Sequence, residues 1–566
     1  MDEATIHRRR WLILGVLVIC LLVVILDNTI LNVALRTVQA DLDASQSQMQ
    51  WAVDSYALVF AGLLITGGVL GDRLGRKWVL LFGMAAFGVT SALCSFAGSP
   101  TQLIFFRALM GIGAAAVLPQ TLSIIQNVFE PTERAKAIGI WAGASGMAIA
   151  IGPIAGGALL KYFWWGSVFL VNVPFVIAGV IAIAVIVPNS KNPRPGRLDP
   201  VGVALSIVAL VILVYGVIQG GNTNEWLRWD SLGAILLGTA LLVLFVFTQA
   251  RSPHPTIDVG LFRNRSFSSG VAAIAVTFFV LMGSTFYLAY FLQAVRGYTA
   301  LAAGVALVAV AAAVMVAAPL AARLSVRLGP RVVTGSGLAI FGVSIAAYGL
   351  ATRTMPQWVI EVLMVGFGLG IGLVMTPATN SIMSVVPREK AGAGAGVNNT
   401  VRQVAAALGV AVLGSLLAVA FRNHLGADTP ARLAARLDQP VAVVAHLPAD
   451  AKVASHIKRD ATESIGGALD YAGKAATALQ QRGTARAANA SPAQLAQQRA
   501  QAQRAIGTFI DDAKNSFVSA MRLTSIVAGL IGLVGAAAAF TFLPSRREHA
   551  AHTSPTDPAV NEPAVA

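Results

Sequence analysis

Fourteen apolar runs, each of about 20 residues, follow one another along the chain, and this repetition constrains the fold more than any other feature. A run of that length crosses the hydrocarbon core of a bilayer as a single α-helix. Since only helices and closed barrels satisfy their backbone hydrogen bonds in lipid, the runs predict membrane helices. The predicted spans are 11–35, 49–70, 78–97, 101–126, 135–160, 166–188, 199–220, 231–250, 267–292, 300–323, 332–352, 357–384, 393–420 and 520–543.

The composition excludes several other classes of protein. Of the 566 residues, 56% are hydrophobic and only 12% are charged, as in a polytopic membrane protein. The net charge of +15 does not indicate a nucleic-acid partner, because the basic residues are dispersed between the apolar runs. Cys20 and Cys94 both lie in apolar runs, so no disulfide framework or metal site is expected. The absence of a Walker loop and of the HExxH and GxSxG motifs argues against an ATP-driven pump and an enzyme.

The loops on the N-terminal side of the predicted spans carry most of the basic residues, including Arg8 to Arg10, Arg73 to Lys77 and Arg323 to Arg331. The short loops on the opposite side contain far fewer, such as Arg36 and Lys161. By the positive-inside rule, this asymmetry predicts that the even number of spans leaves both termini in the cytoplasm. The expected location is the cytoplasmic (inner or plasma) membrane.

Three ionisable residues inside apolar runs of the N-terminal half are Asp27, Asp54 and Arg107. A charge inside a membrane helix is costly, so it is read by default as part of a functional site. A buried guanidinium cannot lose its proton and therefore needs an anionic partner or water. We expect these three residues to couple proton movement to transport. The alternatives are that Asp54 is a hydrated interfacial residue and that Arg107 snorkels or is structural.

The loop between the second and third runs reads GGVLGDRLGRKWVLL. Its glycines permit a tight turn and close helix packing, and its Asp can pair with the basic residues at a helix end. Such pairs would open and close one face of a carrier, whereas a basic turn that only fixes the topology is the alternative. The residues predicted to form this gate are Gly68, Asp72, Arg73, Gly75, Arg76 and Lys77.

The fifth run contains GPIAGG, formed by Gly152, Pro153, Gly156 and Gly157. Small residues let helices approach closely, and a proline can kink a membrane helix. A plain packing face is the alternative reading of this segment.

Taken together, these segments resemble the fourteen-helix drug:proton antiporters of the QacA/EmrB type in the major facilitator superfamily. The resemblance rests on G-x-L-x-D-R-x-G-R-K from Gly68, R-x-x-x-G-x-G from Arg107, the antiporter motif G-P-x-x-G-G from Gly152, and L-D-x-T-I-x-N-V-A-L around Asp27. It implies an all-α polytopic membrane protein with the major facilitator fold, in which two six-helix bundles accompany two extra central helices.

The resemblance divides the chain into five regions. These are a cytoplasmic N-terminus at 1–10, a six-helix bundle at 11–188, two linker transmembrane helices at 189–266, a second bundle at 267–543, and a disordered cytoplasmic tail at 544–566. The second bundle includes a long extracytoplasmic loop at 421–519. This loop is either a solvated appendage or a gate cover or docking hairpin.

The function implied by the resemblance is proton-coupled antiport that exports amphiphilic small molecules such as drugs, antibiotics or dyes. The alternatives are export of an endogenous lipid or secondary metabolite, and proton-coupled import. The expected partners are the small-molecule substrate, protons and the lipid bilayer. No cofactor is expected beyond the proton gradient, and the chain is expected to act as a monomer.

The substrate cavity is expected to include polar and aromatic residues from both halves: Asn32, Trp51, Tyr56, Gln120, Phe286, Tyr287, Tyr290, Asn398 and Arg402. Relatives that export divalent organic cations carry acids where this chain has Val314, Asn398 and Asn399. Bulky dications are therefore poor candidates, and monocationic, zwitterionic, neutral or anionic amphiphiles become more plausible. Arg402 suggests a role with an anion or in the proton circuit.

Overall fold

The structure is a computed structural model that describes residues 3–44, 46–192, 199–223, 225–252, 255, 258–298, 300–425, 465, 468–469, 472 and 492–545. Across these residues the chain is helical and contains no strand. Its long helices are α1 Glu3–Asp41, α2 Gln46–Leu74, α3 Arg76–Ser95, α4 Pro100–Val128, α5 Pro131–Tyr162, α6 Asn172–Ile186, α7 Pro200–Thr223, α8 Ala234–Arg251, α9 Arg265–Tyr290, α10 Ala300–Leu328, α11 Pro330–Tyr348, α12 Gln357–Val385, α13 Ala391–His424 and α14 Pro492–Phe542.

Each predicted span coincides with one of these helices. In the described part of the chain, 13 helical segments are long and apolar enough to cross a membrane. The remaining predicted span, 135–160, lies within α5, which is 32 residues long. A short helical turn, Ser167–Leu170, precedes α6 and belongs to the same span. The prediction of an all-α polytopic membrane protein is confirmed.

Local sequence signals explain where several helices begin. Ser99 caps α4 by accepting a hydrogen bond from the backbone N–H of Gln102, and Pro100 occupies the first turn. Gly75 before α3 and Gly329 before α11 have φ angles of 108° and 87°. Glycine adopts this left-handed region without the steric cost of a side chain, so both loops can turn sharply into the next helix.

The helices α1–α6 and α9–α14 form two bundles with the same internal packing. In the first bundle α4 packs against α1, α2 and α3, while α1 also packs against α5 and α6, and α6 against α3. In the second bundle α12 packs against α9, α10 and α11, while α9 also packs against α13 and α14, and α14 against α11. Shifting each helix number by eight converts one scheme into the other, as expected for an internal structural repeat.

The two bundles meet mainly where α2 packs against α13 and α5 against α10, with further contacts of α4 with α13 and of α5 with α12. A Cβ on Gly68 would collide with the backbone carbonyl of Gly392, and one on Gly139 would lie 3.0 Å from the carbonyl oxygen of Ala318. These backbones approach so closely because the side chains are absent at the contact. Both contacts lie in the half of the molecule next to the loop between α2 and α3.

The helices α7 and α8 pack against each other, and α7 also packs against α2 and α13. In the outer part of α2, away from the α2–α3 loop, the Trp51 ring stacks on Tyr215 of α7 at 6.1 Å. The indole nitrogen of Trp226 donates a hydrogen bond of 2.9 Å to Ser415 of α13. One side of the groove between the bundles is therefore filled by α7.

The last helix is much longer than a membrane crossing. At 1.5 Å per residue, the 51 residues of α14 span about 76 Å, compared with a hydrocarbon core of about 30 Å. Asp511, in the N-terminal part of α14, accepts a hydrogen bond of 2.6 Å from Arg353. Part of the predicted loop 421–519 is therefore a continuation of α14. The start of the predicted loop, 421–424, is the end of α13. The other residues between 426 and 491, apart from 465, 468–469 and 472, and residues 546–566 of the predicted tail lie outside the described residues.

Candidate functional site

An ion pair buried in the first bundle joins two of the predicted residues. Arg107 of α4 donates a hydrogen bond of 2.5 Å from Nη1 to Oδ2 of Asp27 on α1. Both side chains are completely inaccessible to solvent. An intramembrane carboxylate and a guanidinium thus satisfy one another, as the cost of burying either charge alone requires.

A polar network surrounds this pair. Asn172, at the start of α6, donates 3.0 Å to Oδ1 of Asp27 and 3.1 Å to the hydroxyl of Ser91. The guanidinium donates from Nε to the backbone carbonyl of Ala52 at 3.2 Å. It also lies 4.3 Å from the centre of the Tyr56 ring, a cation–π contact. Residues of five helices, α1, α2, α3, α4 and α6, therefore meet in the network around this carboxylate.

This arrangement can store or release one proton with a structural consequence. A protonated Asp27 loses its charge and hence its electrostatic attraction to Arg107. The guanidinium would then need a new partner, because it remains charged. Thr29, two residues after Asp27, lies against α5, where a Cβ on Gly152 would collide with its hydroxyl. A change at Asp27 can therefore reach α5 and, through α5, the second bundle.

Asp54 lies half-buried on α2, two residues before Tyr56. The partners described for Asp27 are Arg107 and Asn172, and they do not include Asp54. The proposed cooperation of the two acids stays a prediction.

A second buried ion pair lies in the loop between α2 and α3. Arg76 donates from Nη2 and Nε to the same carboxylate oxygen of Asp72, at 2.6 and 3.0 Å. The carboxylate also accepts the backbone N–H groups of Gly392 and Ala393, at 2.9 and 3.0 Å. These are among the first amides of α13, where the helix dipole favours a negative charge.

Other side chains extend this connection between the bundles, which we call the loop lock and define by Asp72, Arg76 and Gln126. Arg76 donates 2.8 Å to the carbonyl of Arg388 in the connection between α12 and α13. Gln126 of α4 donates 2.8 Å to each of the carbonyls of Met383 and Val386. The face of the molecule at the α2–α3 loop is therefore closed.

The remaining predicted gate residues hold the turn itself. Lys77 donates 2.7 Å to the carbonyl of Ala184 near the end of α6, and Arg73 is half-buried. A Cβ on Gly75 would lie 2.6 Å from Asn189, in addition to the strain at its positive φ. Gly68 lies at the contact with Gly392 described above.

At the same face of the molecule, Arg10 of α1 donates 2.7 Å to Glu133 in the first turn of α5. The hydrogen bond from Arg10 holds the pKa of Glu133 below its ordinary value. This pair is half-buried at the molecular surface.

The predicted motif of α5 lies against α1. A Cβ on Gly156 would meet Ile30 at 3.3 Å, whereas one on Gly157 would have no neighbour within 4 Å. The side chain of Pro153 lies outside the described part of the structure. Toward the second bundle, a Cβ on Gly146 of α5 would lie 2.5 Å from Val314 of α10. Glycines on two faces of α5 thus let this helix pack closely against α1 on one side and α10 on the other.

Two predicted cavity residues lie one turn apart on α13 and are both buried. Asn398 is completely inaccessible, and neither atom of its side-chain amide has a hydrogen-bond partner in the described structure. Arg402 donates 3.2 Å to Thr379 of α12, and its Nε has no partner there. The guanidinium carbon lies 4.9 Å from the ring centre of Trp141 and 5.1 Å from that of Phe278.

The other predicted cavity residues are dispersed. Trp51 contacts α7, Gln120 donates 2.8 Å to the carbonyl of Gly67, and Tyr287 is buried within the second bundle. Tyr290 is 38% exposed. The side chains of Asn32 and Phe286 lie outside the described part of the structure.

Sequence reasoning missed several residues of these sites, namely Asn172, Ser91, Trp141, Phe278 and Thr379. An Asn next to a Val-Pro step inside an apolar run was an available signal for Asn172. The other four are ordinary membrane-helix residues, so only the fold reveals their contacts. Within the described ranges, no group of three or more His, Cys, Asp or Glu residues could hold a metal ion.

Comparisons with known proteins agree with this architecture. The family model of the Major Facilitator Superfamily matches residues 17–410. The chain is 36% identical over 483 residues to the multidrug efflux pump LfrA of Mycolicibacterium smegmatis. This alignment covers 85% of this chain and 91% of that protein. The chain is 35% identical over 431 residues to the methyl viologen resistance protein SmvA of Salmonella typhimurium, covering 76% and 86%.

Among solved structures, the human organic anion transporter MFSD10 matches with a TM-score of 0.52 at 16% identity. The match covers 72% of this chain and 93% of that one. At this identity the likeness concerns the fold alone.

Proposed function

We propose that this chain, which belongs to the Major Facilitator Superfamily, is a proton-coupled antiporter that exports amphiphilic small molecules from the cytoplasm. It acts as a monomer in the cytoplasmic membrane, with both termini on the cytoplasmic side. The names of LfrA and SmvA, an efflux pump and a resistance protein, support export. The family and these relatives indicate a transporter and not an enzyme, as the sequence predicted.

The observation that carries the proposal is the buried pair of Asp27 and Arg107. An intramembrane carboxylate at the meeting point of several helices is a suitable proton carrier, since only its protonation changes the charge of the pair. A guanidinium cannot take this role, because it does not lose its proton in proteins. The proton therefore binds at Asp27.

The transport cycle alternates between two states of this pair. With Asp27 charged and the cytoplasmic face open, the carrier loads its substrate. The carrier then closes that face through the loop lock and exposes the substrate to the outside. A proton from the outside neutralises Asp27, promotes substrate release and is later delivered to the cytoplasm. The membrane potential supplies about 2.3 kcal/mol per charge per 100 mV and drives the inward step.

The loop lock supports this assignment of states. Asp72 binds the amides of α13 and Arg76 binds the carbonyls before it, so both bonds must break when the bundles separate at that face. The structure thus corresponds to the state with a closed cytoplasmic face. Proton binding at Asp27 and opening of the lock are separate events in the cycle, and they can be disabled separately.

The substrate class is narrowed by the residues of α10 and α13. Val314, Asn398 and Asn399 are neutral, so we expect amphiphiles with one positive charge, no net charge or an anionic group. Methyl viologen, which appears in the name of SmvA, is a dication and provides the counter-test. Preferential export of methyl viologen over a monocationic dye would contradict this part of the proposal.

The direct test is substrate-induced proton release from purified protein, compared between the wild type and Asp27→Asn. The ligands tested are a small panel of monocationic, zwitterionic, neutral and anionic amphiphiles. We expect the wild type to release protons on binding ligands of this panel and the variant to release none. In proteoliposomes, a pH gradient should drive efflux by the wild type only. Glu361→Gln, which neutralises an exposed carboxylate of α12, is the matched control and should behave like the wild type. Full gradient-driven efflux by Asp27→Asn would refute the coupling role.

A further inference from the structure

We propose that Arg402 and Asn398 of α13 form a binding site for an anionic oxygen, such as a carboxylate, carried by the transported molecule. This inference rests on the proposed export function, because it assigns one chemical group of the substrate to one place in the carrier. The preferred substrate is then a zwitterionic or anionic amphiphile.

The first argument is the charge of Arg402, which no carboxylate within the described ranges neutralises. The side chain is only 8% exposed, and its described hydrogen bond is to a neutral hydroxyl, that of Thr379. Arg76 and Arg107, which are also buried, each bind an Asp at 2.5 to 2.6 Å. A membrane-embedded cation is costly unless it is paired, so an anion from outside the protein would remove that cost.

The second argument is the unused hydrogen-bonding capacity of the site. A guanidinium has five N–H donors, and the Nε donor of Arg402 has no partner in the described structure. Asn398 is one helical turn earlier, on the same face of α13, and its amide is buried with both atoms unpartnered there. Buried polar groups are nearly always hydrogen-bonded, and a ligand that accepts from both side chains would satisfy them.

The third argument is the position and fixation of the guanidinium. Trp141 belongs to α5 of the first bundle and Phe278 to α9 of the second, and both rings lie about 5 Å from it. The indole of Trp141 is itself held by a hydrogen bond of 3.1 Å to Thr121. The cation is therefore oriented in advance at the meeting of the two bundles. A ligand bound there contacts helices that move apart during alternating access.

The test uses two fluorescent probes that differ in one group: rhodamine B, which has a free carboxylate, and its ethyl ester, which does not. We expect wild-type protein in nanodiscs to bind rhodamine B more tightly than the ester. In Arg402→Gln, rhodamine B affinity should fall roughly tenfold to a hundredfold, as for loss of a hydrogen bond to a charged group, while ester affinity is retained. Arg402→Lys should restore part of the affinity, since it keeps the charge without the planar fork.

Neighbouring asparagines provide the matched control. Asn398→Ala should weaken rhodamine B binding selectively, whereas Asn399→Ala should not, because the amide of Asn399 already donates 2.9 Å to the carbonyl of Ala395 in its own helix. Thermal unfolding of each purified variant verifies that it is folded.

Several outcomes would overturn the inference. An equal loss for both probes in Arg402→Gln would make the residue structural, and an equal affinity of the wild type for both probes would remove the anion preference. Stabilisation of the wild type by chloride over gluconate, without any probe difference, would assign the site to a free inorganic anion. A wild type that exports the ester but not rhodamine B would refute the inference and leave the proposed function intact. A wild type that exports neither probe and no ligand of the panel would contradict both the inference and the proposed function.

Discussion

The two six-helix bundles have the same packing scheme but place different chemistry at equivalent positions. In the first, Asn172 of α6 donates a hydrogen bond to the charged Asp27 of α1. In the second, α14 and α9 take the corresponding places, and Ser525 donates 3.1 Å to the hydroxyl of Tyr287. That hydroxyl in turn donates to Ser284 at 3.3 Å. One cluster can change its charge by binding a proton, and the other is neutral.

The connecting loops differ in the same way. Gly75 and Gly329 make equivalent turns with positive φ. Three residues before each glycine, however, the first bundle has the buried Asp72 and the second has Val326, which is 67% exposed. The backbone repeat therefore survives where the ionic residues do not. The comparison teaches that the bundles are alike as scaffolds, whereas the buried ion pairs, including the one for which we propose proton binding, lie in the first bundle.

The largest effect that would sharpen this comparison is expected from Arg107→Ala. Removing one member of a buried ion pair leaves an uncompensated charge, and typically destabilises a protein by about 3–5 kcal/mol. We expect a strongly reduced yield of folded protein and a lower midpoint of thermal unfolding in detergent. The double variant Arg107→Ala with Asp27→Asn should recover part of the loss, because it removes both charges. No recovery in the double variant would show that Arg107 acts mainly through its other contacts.

An intermediate effect is expected from Asp72→Asn. The substitution weakens hydrogen bonds to a charged group, which are worth about 1.5–3 kcal/mol. Those from the amides of Gly392 and Ala393 join the two bundles and favour the closed face. The closed state should lose population, measured as faster labelling of a cysteine introduced beside the loop lock. Val326→Asn places the same side chain at the equivalent position of the second bundle and should leave the labelling rate unchanged. Equal effects of the two substitutions would break the comparison.

The smallest effect is expected from Tyr287→Phe. The change removes one hydroxyl from a neutral network, and a typical intramolecular hydrogen bond contributes only about 1 kcal/mol. Thermal unfolding should shift slightly, and the pH dependence of efflux should stay that of the wild type. A changed pH dependence would mean that the second bundle takes part in proton coupling, contrary to the comparison.

Much of the fold could be predicted from the sequence, because membrane helices need long apolar runs and leave a strong pattern. Asp27 and Arg107 could be identified from the sequence because charged residues are conspicuous within such apolar runs. Arg107 was also a candidate counter-charge for Asp27, because a buried guanidinium needs an anion. The sequence alone did not establish the pair, since it joins residues 80 positions apart.

The pairing of Asp72 with a basic residue of its motif was predicted and is seen with Arg76. Its other partners, the backbone amides of Gly392 and Ala393, were hidden because backbone amides have no residue signature.

The aromatic residues show where sequence reasoning reached its limit. Trp51, Tyr56 and Tyr287 have similar surroundings in sequence, each within an apolar run. In the fold, Trp51 stacks on α7, Tyr56 covers Arg107, and Tyr287 lies inside the second bundle. Helix rotation decides between these places, and an apolar run with little periodicity does not specify that rotation.

The position of α7 has a mechanical consequence. It contacts both α2 and α13 on one side of the molecule, where Trp51 stacks on Tyr215, while α5 and α10 meet directly on the other side. Trp226, just after the end of α7, adds a hydrogen bond to Ser415 of α13. In the outer half of the molecule, α7 therefore ties the two bundles together along the α2–α13 edge. Their outer halves would swing apart most widely at the opposite edge, so a bulky amphiphile would find its exit toward α5 and α10.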